Sequence, residues 1–196
     1  MTDVEEIVQC LEGGGVVLLP TDTVYGLAVS PNFDHSINRL FTLKRRPRNV
    51  NLPIMVASDA ELEPLGFEIT DSARRLLRSP LIPGSLTLAM GFRSDYRPVW
   101  LAGREEAALR IPNDERLLSV LRKTGPLLVT SANAHSAETP DNVAAILAQL
   151  DGAPDLSIDG GTLRTTASTL VNCRMEPPVI ERIGVVPESE VLKYLS

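Results

Sequence analysis

Pro20-Thr21-Asp22-Thr23-Val24-Tyr25-Gly26-Leu27 follows directly on the apolar run Val16-Val17-Leu18-Leu19, and this succession decides the fold class. A short uninterrupted apolar run between glycines and a polar turn reads as a buried strand. The turn it delivers carries hydroxyls, a carboxylate and a phenol at the end of a rigid element. That is where α/β proteins usually place groups that meet a ligand. A plain strand-to-turn corner, with Asp22 and Thr23 bonding their own backbone, is the bland alternative. The rest of the chain tips the balance, because the pattern recurs.

Upstream, Thr2-Asp3-Val4-Glu5 has the form of a capping box. Val4, Ile7, Val8 and Leu11 follow at helical spacing until Gly13-Gly14-Gly15 ends the pattern. Downstream, Asp34 reads as the cap of a helix with Ile37, Leu40 and Phe41 on its apolar side, running into Lys44-Arg45-Arg46-Pro47-Arg48. Cations at a helix C-terminus are favoured by its dipole, so part of that cluster has a structural rationale. Residues 52–56 read as a short strand with Pro53 at its edge or its start. Ser58-Asp59-Ala60-Glu61 repeats the capping box, and 70–78 is helical until Pro80 and Pro83-Gly84 force turns.

Residues 87–92 read as a strand. Residues 93–107, polar and broken by Pro98 and Gly103, read as an exposed excursion that could close over a site. Residues 108–111 return as a strand in which Arg110 stands among apolar neighbours. It either lines a polar cavity or lies on a wet sheet face, the commoner case. A helix over 117–123 closes at Gly125, and strand 127–129 delivers a second polar turn, Thr130-Ser131-Ala132-Asn133. Asp141 reads as the cap of a helix over 143–150, Asp159-Gly160-Gly161 as a turn, 168–171 and 179–183 as late strands, and 187–195 as a closing helix begun by proline. Interleaved strands and helices without a repeat give an α/β (α+β) class, built on a mixed sheet flanked by helices.

The 196 residues, 43% hydrophobic and 22% charged, suit one core, so a single domain over 1–196 is expected. No apolar run approaches a membrane span and the chain opens on an acidic helix, which points to the cytoplasm. Cys10 and Cys173 have no CxxC partner, and His35 and His135 have no metal-ligand spacing, so no metal site is expected. The net charge of −6 argues against a surface that clings everywhere to nucleic acid, although four cations in positions 44–48 stand out locally. Hydroxyls, amides and cations dominate the polar turns: Thr23, Tyr25, Lys44, Arg46, Thr87, Arg110, Ser131, Asn133, Ser168 and Arg182. Such a set suits an anion with many oxygens. No Walker A loop, dinucleotide-binding glycine motif or GxSxG elbow occurs.

Seven segments in order resemble the YrdC-like family. They are Pro20-Thr21-Asp22-Thr23-Val24-Tyr25-Gly26-Leu27, Lys44-Arg45-Arg46-Pro47, Pro83-Gly84-Ser85-Leu86-Thr87, Leu109-Arg110-Ile111-Pro112, Thr130-Ser131-Ala132-Asn133, Ala167-Ser168-Thr169 and Arg182-Ile183-Gly184. The resemblance implies a YrdC-like (DHBP synthase-like) fold with a twisted mixed sheet. It also implies L-threonylcarbamoyladenylate synthase activity, which joins L-threonine, bicarbonate and ATP, with Mg2+ on the phosphates, and releases pyrophosphate. By position it assigns Lys44, Arg46, Thr87, Ser131, Asn133 and Arg182 to ATP, and Thr23, Arg110 and Ser168 to threonine, with Tyr25 in the pocket wall. The implied partners are tRNA and downstream threonylcarbamoyl-transfer proteins. Departures from the family pattern are Met55 for a frequent histidine, Asn51 for proline, Asp114 for histidine and Ala137 for glycine. They keep a second reading in play, a YrdC-like paralogue that binds RNA or nucleotide without threonine-specific synthesis.

Overall fold

In a computed structural model, which describes residues 2–95, 99–101 and 103–195, Thr2 supplies the first fixed point. Its hydroxyl accepts from the Glu5 amide while its own amide donates to the Glu5 carboxylate, and α1, Asp3–Glu12, starts there. The buried run becomes β1, Val17–Leu19, and the 20–25 turn leads into an antiparallel partner, β2, Gly26–Val29. The sequence reading treated that partner as part of the turn.

The elements that follow are α2 (Asp34–Leu43), β3 (Ile54–Met55), α3 (Asp71–Leu77), β4 (Leu86–Gly91), β5 (Glu106–Arg110), α4 (Glu115–Thr124) and β6 (Leu127–Ser131). Then come α5 (Val143–Gln149), β7 (Leu156–Ser157), β8 (Thr169–Asn172), β9 (Val179–Arg182) and α6 (Glu188–Leu192). Among the described residues the strands form one mixed sheet in the order β7-β1-β2-β6-β3-β5-β4-β8-β9.

Several local expectations need correction. Asp34 is the first helical residue of α2 rather than its cap, and Phe33 holds the cap position without a side-chain bond. Asn142, not Asp141, caps α5 through the Ala145 amide; Asp141 instead accepts from the Asn142 side chain at 2.7 Å. The capping box at Ser58 launches only one 3₁₀ turn, Asp59–Glu61. Pro53 precedes an interior strand, since β3 lies between β6 and β5, so its missing N–H is spent outside the ladder. The last helix ends at Leu192, and Pro187 caps it instead of sitting inside its first turn. Pro98 lies outside the described residues.

Strand alternation divides the core in two. One sheet face, with Leu18, Leu27, Ile54, Leu88, Leu109 and Leu128, packs into the larger cluster with Leu40, Phe41, Leu76 and Ile146 of the helices. The opposite face, with Val17, Leu19, Ala28, Leu127 and Val129, is covered by Ile7 and Leu11 of α1 and Leu117, Val120 and Leu121 of α4. This second cover does not include the part of that face made by β5, β4 and β8.

Candidate functional site

Where α1 and α4 stop, the same face continues as the wall of a cavity of about 530 Å³. Alternate residues point into it: Val129 and Ser131 of β6, Met55 of β3, Glu106, Ala108 and Arg110 of β5, Thr87 and Ala89 of β4, and Leu170 of β8 beside Ser168. Ala89 stands opposite Ala108 in the β4–β5 register, so the middle of the wall carries only methyl groups and the hollow lies above them.

Arg110 anchors the wall. It is 5% exposed, and its Nε donates to the Gly84 carbonyl (3.0 Å), its Nη1 to the Thr23 hydroxyl (2.8 Å) and its Nη2 to the Asp22 carboxylate (2.8 Å). Of the two settings open to it, a polar cavity and a wet sheet face, Arg110 takes the first. The guanidinium is cavity-lining because Asp22, itself largely buried, neutralises it. Burial pulls the Arg110 pKa down, and Asp22 opposes that shift. Three of the five N–H groups of the guanidinium are used by these partners, which leaves donors for a ligand. The 20–25 turn is braced from within, with the Thr21 hydroxyl donating to the Val24 carbonyl (2.7 Å) and accepting from the Thr23 amide (3.1 Å). The Tyr25 hydroxyl donates to the Gly161 carbonyl (2.7 Å) and accepts from the Gly160 amide (2.8 Å), which ties the Asp159-Gly160-Gly161 turn to the wall.

At the β8 end, the Thr87 and Ser168 hydroxyls are 2.7 Å apart, and Arg182 donates to the Ser168 carbonyl through Nε and Nη2 (3.1 and 2.9 Å). At the β6 end, Arg46 donates through Nη2 to the Asn51 carbonyl (2.7 Å), while its buried Nε has no acceptor among the described residues. Burial lowers the Arg46 pKa, with the Arg104 charge as the lesser cause. Lys44 and Asn133 lie behind Ser131. The Lys44 Nζ donates to the Ser131 carbonyl, the Asn133 carbonyl (2.7 Å) and Asn133 Oδ1 (3.4 Å). Burial first, and the Arg46 charge second, push its pKa down to about 7, while these three oxygens favour the charged form that donates to all of them.

Of the ten residues singled out in the sequence, eight line the cavity: Thr23, Tyr25, Arg46, Thr87, Arg110, Ser131, Ser168 and Arg182. The other two, Lys44 and Asn133, support it from behind. Sequence reasoning missed Asp22 as the partner that keeps Arg110 charged, and it missed the Ala89–Ala108 hollow. The second was readable, since 87/89 and 108/110 are alternate positions of two expected strands and therefore share a face.

Among the described residues two carboxylates reach the wall. Glu106 is paired with Arg174 at 2.6 Å, and Glu181 accepts from Asn172 at 2.7 Å. Three guanidiniums, Arg46, Arg110 and Arg182, share that wall, so the cavity suits an anion. Among the described residues no group of three metal-ligating side chains occurs, and no helix is long and apolar enough to cross a membrane.

The departures now have physical settings. Asp114 caps α4 by accepting from the Leu117 amide at 2.8 Å. Ala137 contributes its carbonyl to the Asn133 amide at 2.8 Å, a bond that needs no particular side chain. Asn51 lines the cavity while its carbonyl receives Arg46. Met55 presents a thioether to the cavity, in register with Arg110.

A family model for Sua5/YciO/YrdC, described as telomere recombination, matches residues 9–184. The threonylcarbamoyl-AMP synthase of Pyrococcus abyssi is 32% identical over 93% of this chain and 54% of its own length. That of Bacillus subtilis is 30% identical over 90% of this chain and 51% of its own. The chain thus spans about half the length of these curated relatives. A crystal structure of P. abyssi Sua5 complexed with L-threonine is similar at a TM-score of 0.88 and 30% identity, covering 97% of this chain and 56% of that one. E. coli YciO, at 24% identity, shares the fold with a TM-score of 0.83 over 96% of this chain and 92% of its own.

Proposed function

The chain belongs to the Sua5/YciO/YrdC family, and from that premise we propose that its cavity makes threonylcarbamoyl-AMP and pyrophosphate from L-threonine, bicarbonate and ATP. The observation that carries this reading is the wall itself: Arg46, Arg110 and Arg182 converge with the hydroxyls of Thr23, Thr87, Ser131 and Ser168 on one open sheet face.

Bicarbonate condenses with the threonine amine to a carbamate, with loss of water. A carbamate oxygen then forms a bond to the α-phosphorus of ATP as the bond to the β-phosphate oxygen breaks and pyrophosphate leaves. The nucleophile is already anionic, so the displacement needs alignment and charge neutralisation more than a strong base. In this assignment Thr23, Tyr25, Arg110 and Ser168 form the amino-acid end, with the unused Arg110 N–H groups directed to a carboxylate. Arg46 and Ser131 at the β6 end of the wall, supported by Lys44 and Asn133, and Thr87 and Arg182 at its β8 end are assigned to the nucleotide. Magnesium arrives with ATP, and the phosphates supply most of its ligands, because the two wall carboxylates already have partners. The product serves cytoplasmic proteins that transfer threonylcarbamoyl to an adenosine beside the tRNA anticodon.

Calorimetric titration of L-threonine tests the amino-acid end. Saturable binding, weakened at least tenfold by Arg110→Lys, is expected, because a point-charge ammonium cannot reproduce the fork that meets Thr23, Asp22 and a carboxylate together. Absence of threonine binding, with or without nucleotide, would remove the reading.

A further inference from the structure

Lys44 is 1% exposed, directly behind the cavity wall, and three oxygens of the 131–133 turn surround its Nζ. We propose that it is a positioning residue, which holds the 131–133 turn from the back and does not touch the nucleotide; the inference rests on the nucleotide reading above.

An ammonium has three N–H groups, and the Ser131 carbonyl, the Asn133 carbonyl and Asn133 Oδ1 account for all three. The backbone adds a fourth tie, since the Lys44 carbonyl accepts from the His135 amide at 2.7 Å. Asn133 is the hub of the arrangement. Its Nδ2 donates to the Ala134 and Ala137 carbonyls, both at 2.8 Å, which fixes the amide plane. Its Oδ1 then faces Lys44 Nζ, the Ser131 hydroxyl (2.5 Å) and the Thr139 hydroxyl (3.2 Å). Ser131 is the member of this group that lines the cavity. Its hydroxyl proton is committed to Asn133, so its orientation toward a ligand is set by a group that Lys44 holds in place. Arg46 differs, because it lines the cavity itself and has a buried Nε without an acceptor among the described residues.

The two roles separate in a binding series of AMP, ADP and ATP. A cation that touches the β- or γ-phosphate loses more affinity for ATP than for AMP when removed, whereas a cation that orients the turn costs all three alike. Lys44→Met is expected to weaken AMP, ADP and ATP by a common factor of about tenfold, as misplacement of a positioned group does, with its circular dichroism unchanged. Arg46→Met is expected to show a loss that grows from AMP to ATP. A Lys44→Met loss that grows in the same way, or binding of all three within twofold of the unsubstituted protein, would overturn the inference. Should Lys44→Met fail to fold, Asn133→Ala decides by the same criteria, since it removes the hub and keeps the charge. If the unsubstituted protein binds none of the three, the nucleotide reading falls and takes this inference with it, an outcome distinct from a graded loss, which removes the inference alone.

Discussion

Arg110→Met is expected to destabilise the protein by about 3 to 5 kcal/mol, because breaking a buried ion pair from one side leaves its partner charged and unpaired. The Arg110 and Asp22 side chains are 6% and 11% exposed and 2.8 Å apart. Removing the guanidinium also takes a donor from the Gly84 carbonyl and from the Thr23 hydroxyl, which keeps the Thr21 hydroxyl as a partner at 3.1 Å. The cost therefore belongs to the orphaned partners more than to the pair. It follows that Asp22→Asn in the same chain should recover a large share of the stability, since a neutral amide tolerates burial better than a lone carboxylate. It should not recover activity, because the cation is gone. Urea unfolding of the two single variants and the double variant measures this. Additive losses would mean that the pair is not coupled as the geometry requires.

Gly184→Ala is expected to lower turnover by about a hundredfold or more, the scale on which a displacement near 1 Å is felt by a positioned site. A Cβ at Gly184 would lie 2.2 Å from the Ala167 carbonyl oxygen and 2.5 and 2.6 Å from the Ser168 carbonyl carbon and oxygen. All three are backbone atoms, so no side chain can swing aside and the two segments must part. Their separation would pull Ser168 from Arg182, which grips the Ser168 carbonyl through two N–H groups, and from the Thr87 hydroxyl. Overpacking of this kind costs about 1 to 3 kcal/mol of stability, so the variant should fold and yet lose activity. Steady-state turnover beside a urea midpoint tests this. Turnover within threefold of the unsubstituted protein would exclude the Ser168–Arg182 corner from the site.

What the sequence disclosed follows from the range of each interaction. Capping boxes, the glycine after α4 and the apolar run of β1 are local signals, and they placed α1, α4 and β1 to within about two residues. The partner of β1 was lost because Gly26 and Leu27 read as the end of a turn, and only pairing across the sheet makes 26–29 a strand. Asn142 displaced Asp141 as a cap because two adjacent residues were both competent and the backbone chose between them. Seven of the eight cavity residues were recognisable as polar groups at or beside strands, where side chains of one face converge, and Arg46 as a cation just past the end of α2. The neutralisation of Arg110 by Asp22 was not recognisable in the same way, because 88 positions separate them and no local pattern joins them. The local pattern therefore left Arg110 open between a polar cavity and a wet face, and the long-range partner is what makes the buried cation tolerable.

The central claim, that one cavity couples an amino-acid carbamate to ATP, is tested most directly by following pyrophosphate release with L-threonine, bicarbonate and ATP, omitting each in turn, with mass detection of the adenylate. The account predicts release that requires all three, accompanied by threonylcarbamoyl-AMP. Release that ignores threonine or bicarbonate, or ATP binding with no release under any combination, would contradict it.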